Sequence, residues 1–268
     1  MKIYIPTLGR VEKQITFDNL PDKYKEKVVL VVQEHERSQY KFDVEYMVVD
    51  DNIGLSKTRQ LIFHKAGKSY YSMLDDDLEF YRRNRKYSTS SEFSDMEGSK
   101  RKMTEQDFDE MYVEFGEWFD DGFIQCGHRE TSLPPLPTPW QDNVGAYSAY
   151  TFDGHKLSTF IDEIDWTYTK VGCDSMWQLE FLLRGCKIRM SDIWTEKSAW
   201  WQEGGVALYR DAELYNNEHL KLVKKYPKYV NVTGTVVRNY IGEIINLRYN
   251  WKKAYADSLS TPLSVFFK

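Results

Sequence analysis

The chain has few cysteines and no long apolar run. Its 268 residues include three cysteines, which lie far apart and form no CxxC pair. A disulfide framework or a zinc site is therefore not expected, and a reducing compartment such as the cytoplasm fits better. No apolar stretch approaches the roughly 20 residues that span a bilayer, and the start MKIYIPTLGR lacks the features of a signal peptide. We therefore expect no membrane partner.

Several catalytic signatures are also missing. No GxSxG, Walker or HExxH pattern occurs, so hydrolase and kinase functions have no support. Hydrophobic residues nevertheless make up 41% of the chain, which is enough for a sizeable core and excludes global disorder. Because no internal repeat or linker is evident, we expect one compact domain rather than two small ones.

Charge is distributed unevenly around a net value of −5. Residues 104–123 hold eight acidic and no basic residues, whereas residues 82–102 and 219–268 are basic. Such runs are usually solvated faces. The alternative is a basic, aromatic-rich rim for an anionic partner. Its aromatic members would be Tyr226, Tyr229, Tyr240, Tyr249 and Trp251.

Short apolar runs alternate with helical patterns in the first 80 residues. The runs predict strands at KIYIP, Val28–Gln33, Glu45–Asp51 and Tyr70–Leu74. A helix is expected from Leu55 to Ala66, ended by Gly67. This alternation predicts an α/β fold with a mostly parallel sheet flanked by helices.

Fewer elements are predicted in the second half. They are a helix over Glu105–Phe119, a strand at GAYSAYTFD, and a helix over Asp174–Leu183. The first helix has Thr104 as its expected N-cap, with Asp107 three residues on.

Polar residues follow each predicted strand of the first half. They are Thr7 and Arg10, Gln33 and Glu34, Asp50 and Asp51, and Asp75 to Asp77. Because the carboxyl ends of parallel strands share one edge of a sheet, these clusters are expected to converge where ligands bind in such folds.

The acidic triplet Asp75-Asp76-Asp77 is the strongest candidate for metal chemistry. Alternate residues of an extended chain point the same way, so Asp75 and Asp77 can share one ion while Asp76 faces elsewhere. Carboxylate oxygens suit Mg²⁺ or Mn²⁺, which in turn bind a diphosphate. The alternative is a solvated acidic turn.

Three segments together resemble the GT-A class of nucleotide-sugar glycosyltransferases, particularly family 2. They are IPTLGR, NIGLSKTR and YYSMLDDD, in the order and approximate spacing of that family. The segment QEGGVALYR, the helix with KKYP and the closing RYNW make the chain similar to the TET-associated glycosyltransferases of bacteriophages. The resemblance implies a GT-A-like single domain, with a nucleotide-sugar-binding half (1–80), an acceptor and catalytic half (81–218) and a basic carboxyl-terminal extension (219–268).

The resemblance also implies roles for individual residues. Asp75 and Asp77 would bind the metal, and Asp174, at the start of a helix, would be the general base of an inverting transfer. Asp162, Glu163 and Asp165 are competing candidates for that base. The implied donor-binding residues are Pro6, Thr7, Arg10, Gln33 (or Glu34), Asp51, Arg59, Asp76, Gly204 and Gly205.

Two of these assignments leave alternatives open. The family's second strand often ends in D-x-S-x-D, whereas this chain has VVQEHE at that place. The sequence therefore does not determine which base the nucleotide of the donor carries. The segment Trp200–Gly205 is either a flap over the diphosphate or a packed tryptophan beside a turn. His128 and His219 are either ligands or core histidines, and the three cysteines are expected to be small buried hydrophobes.

The implied reaction is metal-dependent transfer from a nucleotide diphosphate sugar, a UDP-sugar, to a hydroxyl acceptor. The closer resemblance implies a 5-hydroxymethylpyrimidine in phage DNA, flipped out of the stack and bound through segments 82–102 and 219–268, in the host cytoplasm if the protein is phage-encoded. The alternatives are a glycan or lipid-linked acceptor, a nucleotidyltransferase, and a non-catalytic binding module on a decayed fold.

Overall fold

The apolar runs of the amino-terminal half form four parallel strands. The computed structural model describes residues 1–84, 100–198, 211–238 and 241–261. The four strands are β1 (Lys2–Pro6), β2 (Val28–Gln33), β3 (Glu45–Val49) and β4 (Tyr70–Leu74). β1 pairs in parallel with both β2 and β4, and β2 pairs in parallel with β3. All six residues of β2 are buried, which is typical of a strand covered on both faces.

Later strands extend the same sheet with mostly antiparallel pairs. They are β5 (Leu78–Arg83), β6 (Lys100–Lys102), β7 (Phe123–Glu130), β8 (Trp140–Asp142), β9 (Ala149–Asp153) and β10 (Lys187–Ser198). The order is β3-β2-β1-β4-β9-β7-β10-β5-β6, with β8 on β10. Only β7 and β10 add a parallel pair within the described residues. The expected α/β fold is confirmed, and the later half adds the antiparallel pairing.

Helices flank this sheet, and a separate hairpin lies near the carboxyl end. The helices are α1 (Ile15–Asn19), α2 (Asp22–Lys25), α3 (Leu55–Ala66), α4 (Glu105–Asp120), α5 (Gly154–Leu157), α6 (Cys173–Leu183), α7 (Ala212–Lys225) and α8 (Trp251–Ser260). The hairpin strands β11 (Val230–Arg238) and β12 (Gly242–Tyr249) pair antiparallel. None of the helices in the described part of the chain is long and apolar enough to cross a membrane.

The helix boundaries follow the predicted start and stop signals. α3 begins after Gly54, whose φ of +80° is a conformation that glycine adopts readily, and it ends before Gly67. α4 begins with a capping box in which the Thr104 hydroxyl accepts the Asp107 N–H and the Asp107 carboxylate accepts the Thr104 N–H. Both predicted helices are therefore confirmed.

Two hydrophobic clusters form the core. One contains α6 and aromatic residues such as Phe63, Phe152 and Trp177. The other contains the apolar side of α4, including Phe108 and Phe115. The cysteines are free thiols, of which Cys126 and Cys173 are buried, whereas Cys186 is only partly buried.

Two expectations about the second half are corrected. The strand predicted at GAYSAYTFD begins only at Ala149, because Ser148 has a φ of +66° that breaks the extended conformation. Tyr226 and Tyr229 are buried rather than part of a rim, since their hydroxyls bind the carboxylates of Glu180 and Asp257. Tyr240 lies outside the described residues.

Candidate active site

The carboxyl end of β4 brings the acidic triplet to the sheet edge where the amino ends of α3 and α6 also arrive. The Asp75 N–H donates to the Ser148 carbonyl at 2.8 Å, and the Thr16 hydroxyl donates to the Asp75 carbonyl. These contacts hold the turn after β4 between two loops. Of the predicted polar clusters, the one with Arg10 meets the triplet here through the Arg10–Asp76 ion pair.

Arg10 neutralises part of the triplet. Its guanidinium forms a short ion pair with Asp76 and lies 3.4 Å from Asp77. Burial raises the pKa of Asp76 to about 7 and that of Asp77 to about 6, and the Arg10 charge only partly opposes this. Burial therefore outweighs the attraction of Arg10, and these two carboxyls hold their protons to a higher pH than exposed aspartates do.

Arg59 is buried against Asp75. Its Nη2 lies 2.7 Å from the Asp75 Oδ1, its Nη1 lies 3.3 Å from the Cys173 sulfur, and the guanidinium lies over the Trp177 ring. The residue is only 3% exposed. The contact Arg59 makes here is with the carboxylate, while the donor contact expected for it stays a prediction.

Asp174 lies in the first turn of α6, after Gly172 in the left-handed conformation. Its carboxylate accepts the Ser175 N–H at 2.8 Å. The charge of Asp174 raises the pKa of Asp75, a smaller effect than those of burial and of Arg59. The candidate base and the acidic triplet therefore share one electrostatic environment.

Two tyrosines that the sequence did not indicate adjoin Asp174. Burial of their hydroxyl ends raises the pKa of Tyr147 and Tyr249, the Asp174 charge adds to this, and the Ser175 hydroxyl opposes it. Tyr147 remains 42% exposed. These two phenol groups therefore share the electrostatic environment of the candidate base.

The other predicted donor residues lie along the ends of β1 to β3. Pro6 and Thr7 are buried, and the Thr7 hydroxyl accepts from the Gln14 amide at 2.9 Å. The Gln33 side-chain oxygen accepts the Asn52 N–H at 3.0 Å. Asp51 is exposed and contacts the His35 Nδ1 at 2.7 Å, which raises the pKa of His35.

The competing carboxylates lie elsewhere. Asp162 is 3.5 Å from His64, near the carboxyl end of α3, whereas Arg59 and Asp75 meet near its amino end. Glu163 lies 3.5 Å from Arg184, and Asp165 accepts the Thr167 N–H. The structure therefore brings Asp174, and none of these three, to the triplet.

The two histidines are packed inside the molecule. His128 contacts the rings of Phe80 and Phe115, and burial lowers its pKa to about 3. His219 stacks on Tyr215 with ring centroids 3.9 Å apart, and its Nδ1 lies 2.8 Å from the Tyr215 carbonyl. Gly204 and Gly205, and the segment around them, lie outside the described residues.

Glu196 is a buried carboxyl that the sequence gave no reason to select. It is 1% exposed, and its Oε2 has no hydrogen-bond partner among the described residues. Burial raises its pKa to about 9, and the charges of Glu130, Asp75 and Asp77 add to the rise. No local signal marks it, because it becomes a neighbour of the triplet only when β10 pairs with β5.

The residues at this edge fit a divalent cation shared with a substrate. Among the described residues, no group of three or more His, Cys, Asp or Glu side chains is arranged to hold a metal alone. Mg²⁺ and Mn²⁺ are commonly held by one or two carboxylates together with substrate phosphates. Asp75 and Asp77 supply such oxygens, and the charge of Asp75 raises the pKa of Asp77, as expected of two carboxylates that could share one cation.

The basic segments are partly neutralised by acidic side chains. Arg82 and Arg101 both bind Asp107, and Arg83 lies 3.3 Å from Asp192. Lys225 and Lys253 pair with Glu180 and Asp257. In the described part of the carboxyl-terminal region, Arg238, Arg248 and Lys252 have no ion pair.

The fold is of the α/β class, with its acidic residues at the carboxyl ends of the parallel strands. Residues 1–117 match the model of the TET-associated glycosyltransferase family, and this match covers the three motif segments predicted to carry the resemblance. The resemblance to that family is therefore confirmed over the amino-terminal 117 residues of the chain. No curated protein matches the chain.

Solved structures with a similar fold include sugar and nucleotidyl transferases. GalNAc-T7 with UDP, GalNAc and Mn²⁺ has 11% identity and a TM-score of 0.49, with 85% of this chain and 48% of that chain covered. The 4-diphosphocytidyl-2C-methyl-D-erythritol synthase of Anaerococcus prevotii has 12% identity and a TM-score of 0.40, with 70% and 85% covered. The chain spans about half of the GalNAc-T7 chain. Because both TM-scores lie below 0.5, the assignment rests on the family match.

Proposed function

We propose that this protein transfers a sugar from a UDP-sugar to the hydroxymethyl group of a modified pyrimidine in DNA. The observation that carries the proposal is the meeting of Asp75–Asp77 with Asp174 at one sheet edge. It occurs in a chain whose first 117 residues match the TET-associated glycosyltransferases. Acidic groups at this edge of an α/β sheet are in the usual position for ligand chemistry.

Asp174 acts as the general base. Its carboxylate takes the proton of the acceptor hydroxyl while the hydroxyl oxygen attacks the anomeric carbon. A bond forms between that oxygen and the anomeric carbon, the bond from the anomeric carbon to the phosphate oxygen breaks, and the nucleoside diphosphate leaves. One displacement inverts the configuration at the anomeric carbon.

The strand ends bind the donor. Asp75 and Asp77 would hold Mn²⁺ or Mg²⁺, which when bound supplies positive charge to the leaving diphosphate. Arg59 orients Asp75 through their ion pair, and Arg10 orients Asp77 directly while it also pairs with Asp76. The remaining donor contacts that we propose are with Pro6, Thr7, Gln33, Asp51, Gly204 and Gly205.

The acceptor would be duplex DNA whose target base leaves the stack, since the hydroxymethyl group must reach Asp174. Arg238, Arg248 and Lys252 are exposed cations that could contact phosphates. Their location in the carboxyl-terminal region supports the proposed use of segment 219–268. The ion pairs of Arg82 and Arg101 with α4 give less support to segment 82–102. The reaction would take place in the cytoplasm, that of the host if a phage encodes the protein.

The test is incubation with a panel of UDP-sugars, Mn²⁺ and DNA containing 5-hydroxymethylcytosine, followed by nucleoside mass analysis. We expect a mass increase of one sugar, and we expect Asp77→Asn to lower turnover at least about a hundredfold because a metal-binding oxygen is lost. Asp22→Asn, whose side chain is 96% exposed, is the matched control and should behave as wild type.

Other outcomes would select another function. Normal turnover by Asp77→Asn would exclude the metal-binding role. Transfer only to glycans would exclude the DNA acceptor. Release of free pyrophosphate instead of a nucleoside diphosphate would indicate a nucleotidyltransferase.

A further inference from the structure

An open cleft lies between the loop around β8 and the start of α8. Its volume is about 450 Å³, within the usual range of ligand sites. It is lined by Thr138, Pro139, Trp140, Gln141, Asp142, Asn143, Lys252 and Tyr255. We refer to it as the Trp140 cleft. None of its lining residues belongs to the donor site or to the catalytic residues proposed above.

The wall of this cleft is held in place by stacked and paired groups. The Arg189 guanidinium lies 4.8 Å from the centre of the Trp140 ring, and the Trp118 ring meets Trp140 edge-on. Arg189 also binds both oxygens of Asp142, at 2.6 and 3.0 Å. Trp140 is thereby oriented in advance while 37% of its surface stays exposed.

The charge of the cleft favours an anionic ligand. Arg189 neutralises Asp142, which is the carboxylate of the lining. Lys252 is exposed and has no ion pair or hydrogen bond within the described residues, and the Gln141 side chain likewise has no partner there. An aromatic ring, a free amide and a free ammonium group together match a nucleotide, with its planar base and its phosphate.

The Trp140 cleft is connected to the catalytic residues through neighbouring side chains. The Trp251 ring packs so closely on Gly145 that a Cβ there would lie 2.6 Å from it. Tyr249 stacks on Trp251 with ring centroids 4.7 Å apart. Tyr249 and Tyr147 both adjoin Asp174. A strand that presents a base to Asp174 can therefore continue along these rings into the cleft.

We propose that the Trp140 cleft binds a nucleotide flanking the acceptor base, with its base stacked on Trp140 and its phosphate on Lys252. This inference rests on the proposed DNA glycosyltransferase function. The loop 138–143 and α8 would then position the acceptor strand. Sequence context around the modified base would then be read through stacking rather than through base-edge hydrogen bonds.

The test compares wild type with Trp140→Ala and Lys252→Ala. The control is Lys65→Ala, which removes one exposed charge from α3, a helix that does not line the cleft. Binding of a fluorescent duplex with one 5-hydroxymethylcytosine is measured by anisotropy without donor. Transfer to that duplex and to the free 5-hydroxymethyl-2′-deoxycytidine nucleoside is measured separately. Thermal unfolding checks that each variant is folded.

We expect both cleft variants to weaken duplex binding and raise the KM for the duplex about tenfold, since stacking and phosphate contacts are lost. The KM for the nucleoside, which has no flanking nucleotide, should stay at the wild-type value. Lys252→Ala should also lower the slope of log affinity against log salt by about 1.

The contrary outcomes separate the two proposals. If wild type modifies DNA and folded cleft variants keep their duplex affinity and KM, the cleft proposal is wrong and the function stands. If the variants lose affinity for a glycan instead, the cleft binds carbohydrate and the nucleotide assignment is wrong. If wild type hydrolyses UDP-sugar but neither binds nor modifies DNA, both the DNA acceptor and the cleft proposal fail.

Discussion

Arg59 illustrates how far a residue type at a given spacing can be interpreted. From its place in the first turns of α3, the sequence suggested a contact with the donor. In the structure its charge is buried against Asp75 and Trp177. A buried arginine of this kind stabilises the carboxylate it faces, and removing it leaves that carboxylate unpaired.

Arg59→Lys tests this difference. Lysine keeps the charge but cannot contact both Asp75 and Cys173, because it lacks the planar fork of the guanidinium. We expect kcat to fall at least about tenfold with little change in the KM for the UDP-sugar. Steady-state kinetics with varied donor measure both values. A large rise in the donor KM with unchanged kcat would instead support direct donor binding.

At the scale of elements, the sequence predicted those that carry local signals. The start of α4 at Thr104 was predicted because its capping box lies within four residues. β10 was not predicted, because its sequence KIRMSDIWTEKS is neither a continuous apolar run nor a regular alternation. Its burial comes from partners on three strands that are distant in the chain.

Thr104→Ala should lower the free energy of unfolding by about 1 kcal/mol, since the Asp107 N–H loses its capping acceptor. Thr233→Ala, in the exposed hairpin strand β11, is the control and should change it by less than about 0.5 kcal/mol. Urea unfolding monitored by circular dichroism measures both. An equal loss in the two variants would contradict the capping role.

At the scale of the whole molecule, acidic side chains neutralise part of the basic segments among the described residues. The acidic helix α4 binds Arg82 and Arg101. The acidic run of residues 104–123 therefore makes contacts within the molecule and is not only a solvated face. At the sheet edge, the carboxylates of Asp75 and Asp76 are likewise paired, with Arg59 and Arg10. The division of the chain into functional segments at residues 80 and 218 stays a prediction.

The buried carboxyl of Glu196 predicts a dependence of stability on pH. Its pKa is raised to about 9 in the folded protein, so between about pH 5 and pH 9 the folded state keeps a proton that the unfolded chain has released. Its contribution to stability is therefore greatest below about pH 5 and is lost as the pH rises through 9. Glu196→Gln, which stays neutral, should unfold with a flatter pH dependence.

At pH 8 we expect Glu196→Gln to be at least as stable as wild type. Between pH 6 and 8, the slope of the free energy of unfolding against pH should be less steep than in wild type by up to about 1 kcal/mol per pH unit. Denaturant unfolding at several pH values measures this. Glu12→Gln, at an exposed position, should keep the wild-type slope. Parallel curves for wild type and Glu196→Gln would show that Glu196 is ionised in the folded protein.

The sequence by itself determined the parallel strands β1 to β4, helices α3 and α4, and the acidic triplet at a strand end. These features arise from apolar periodicity, capping and turn residues, all of which act over a few neighbouring positions. Only the tertiary structure decided that Arg59 pairs with Asp75 and that Asp174 is brought to the triplet while Asp162, Glu163 and Asp165 are not. It also decided that Glu196, Tyr147 and Tyr249 adjoin the site. Long-range strand pairing and packing create these contacts, and no local pattern in the chain encodes them.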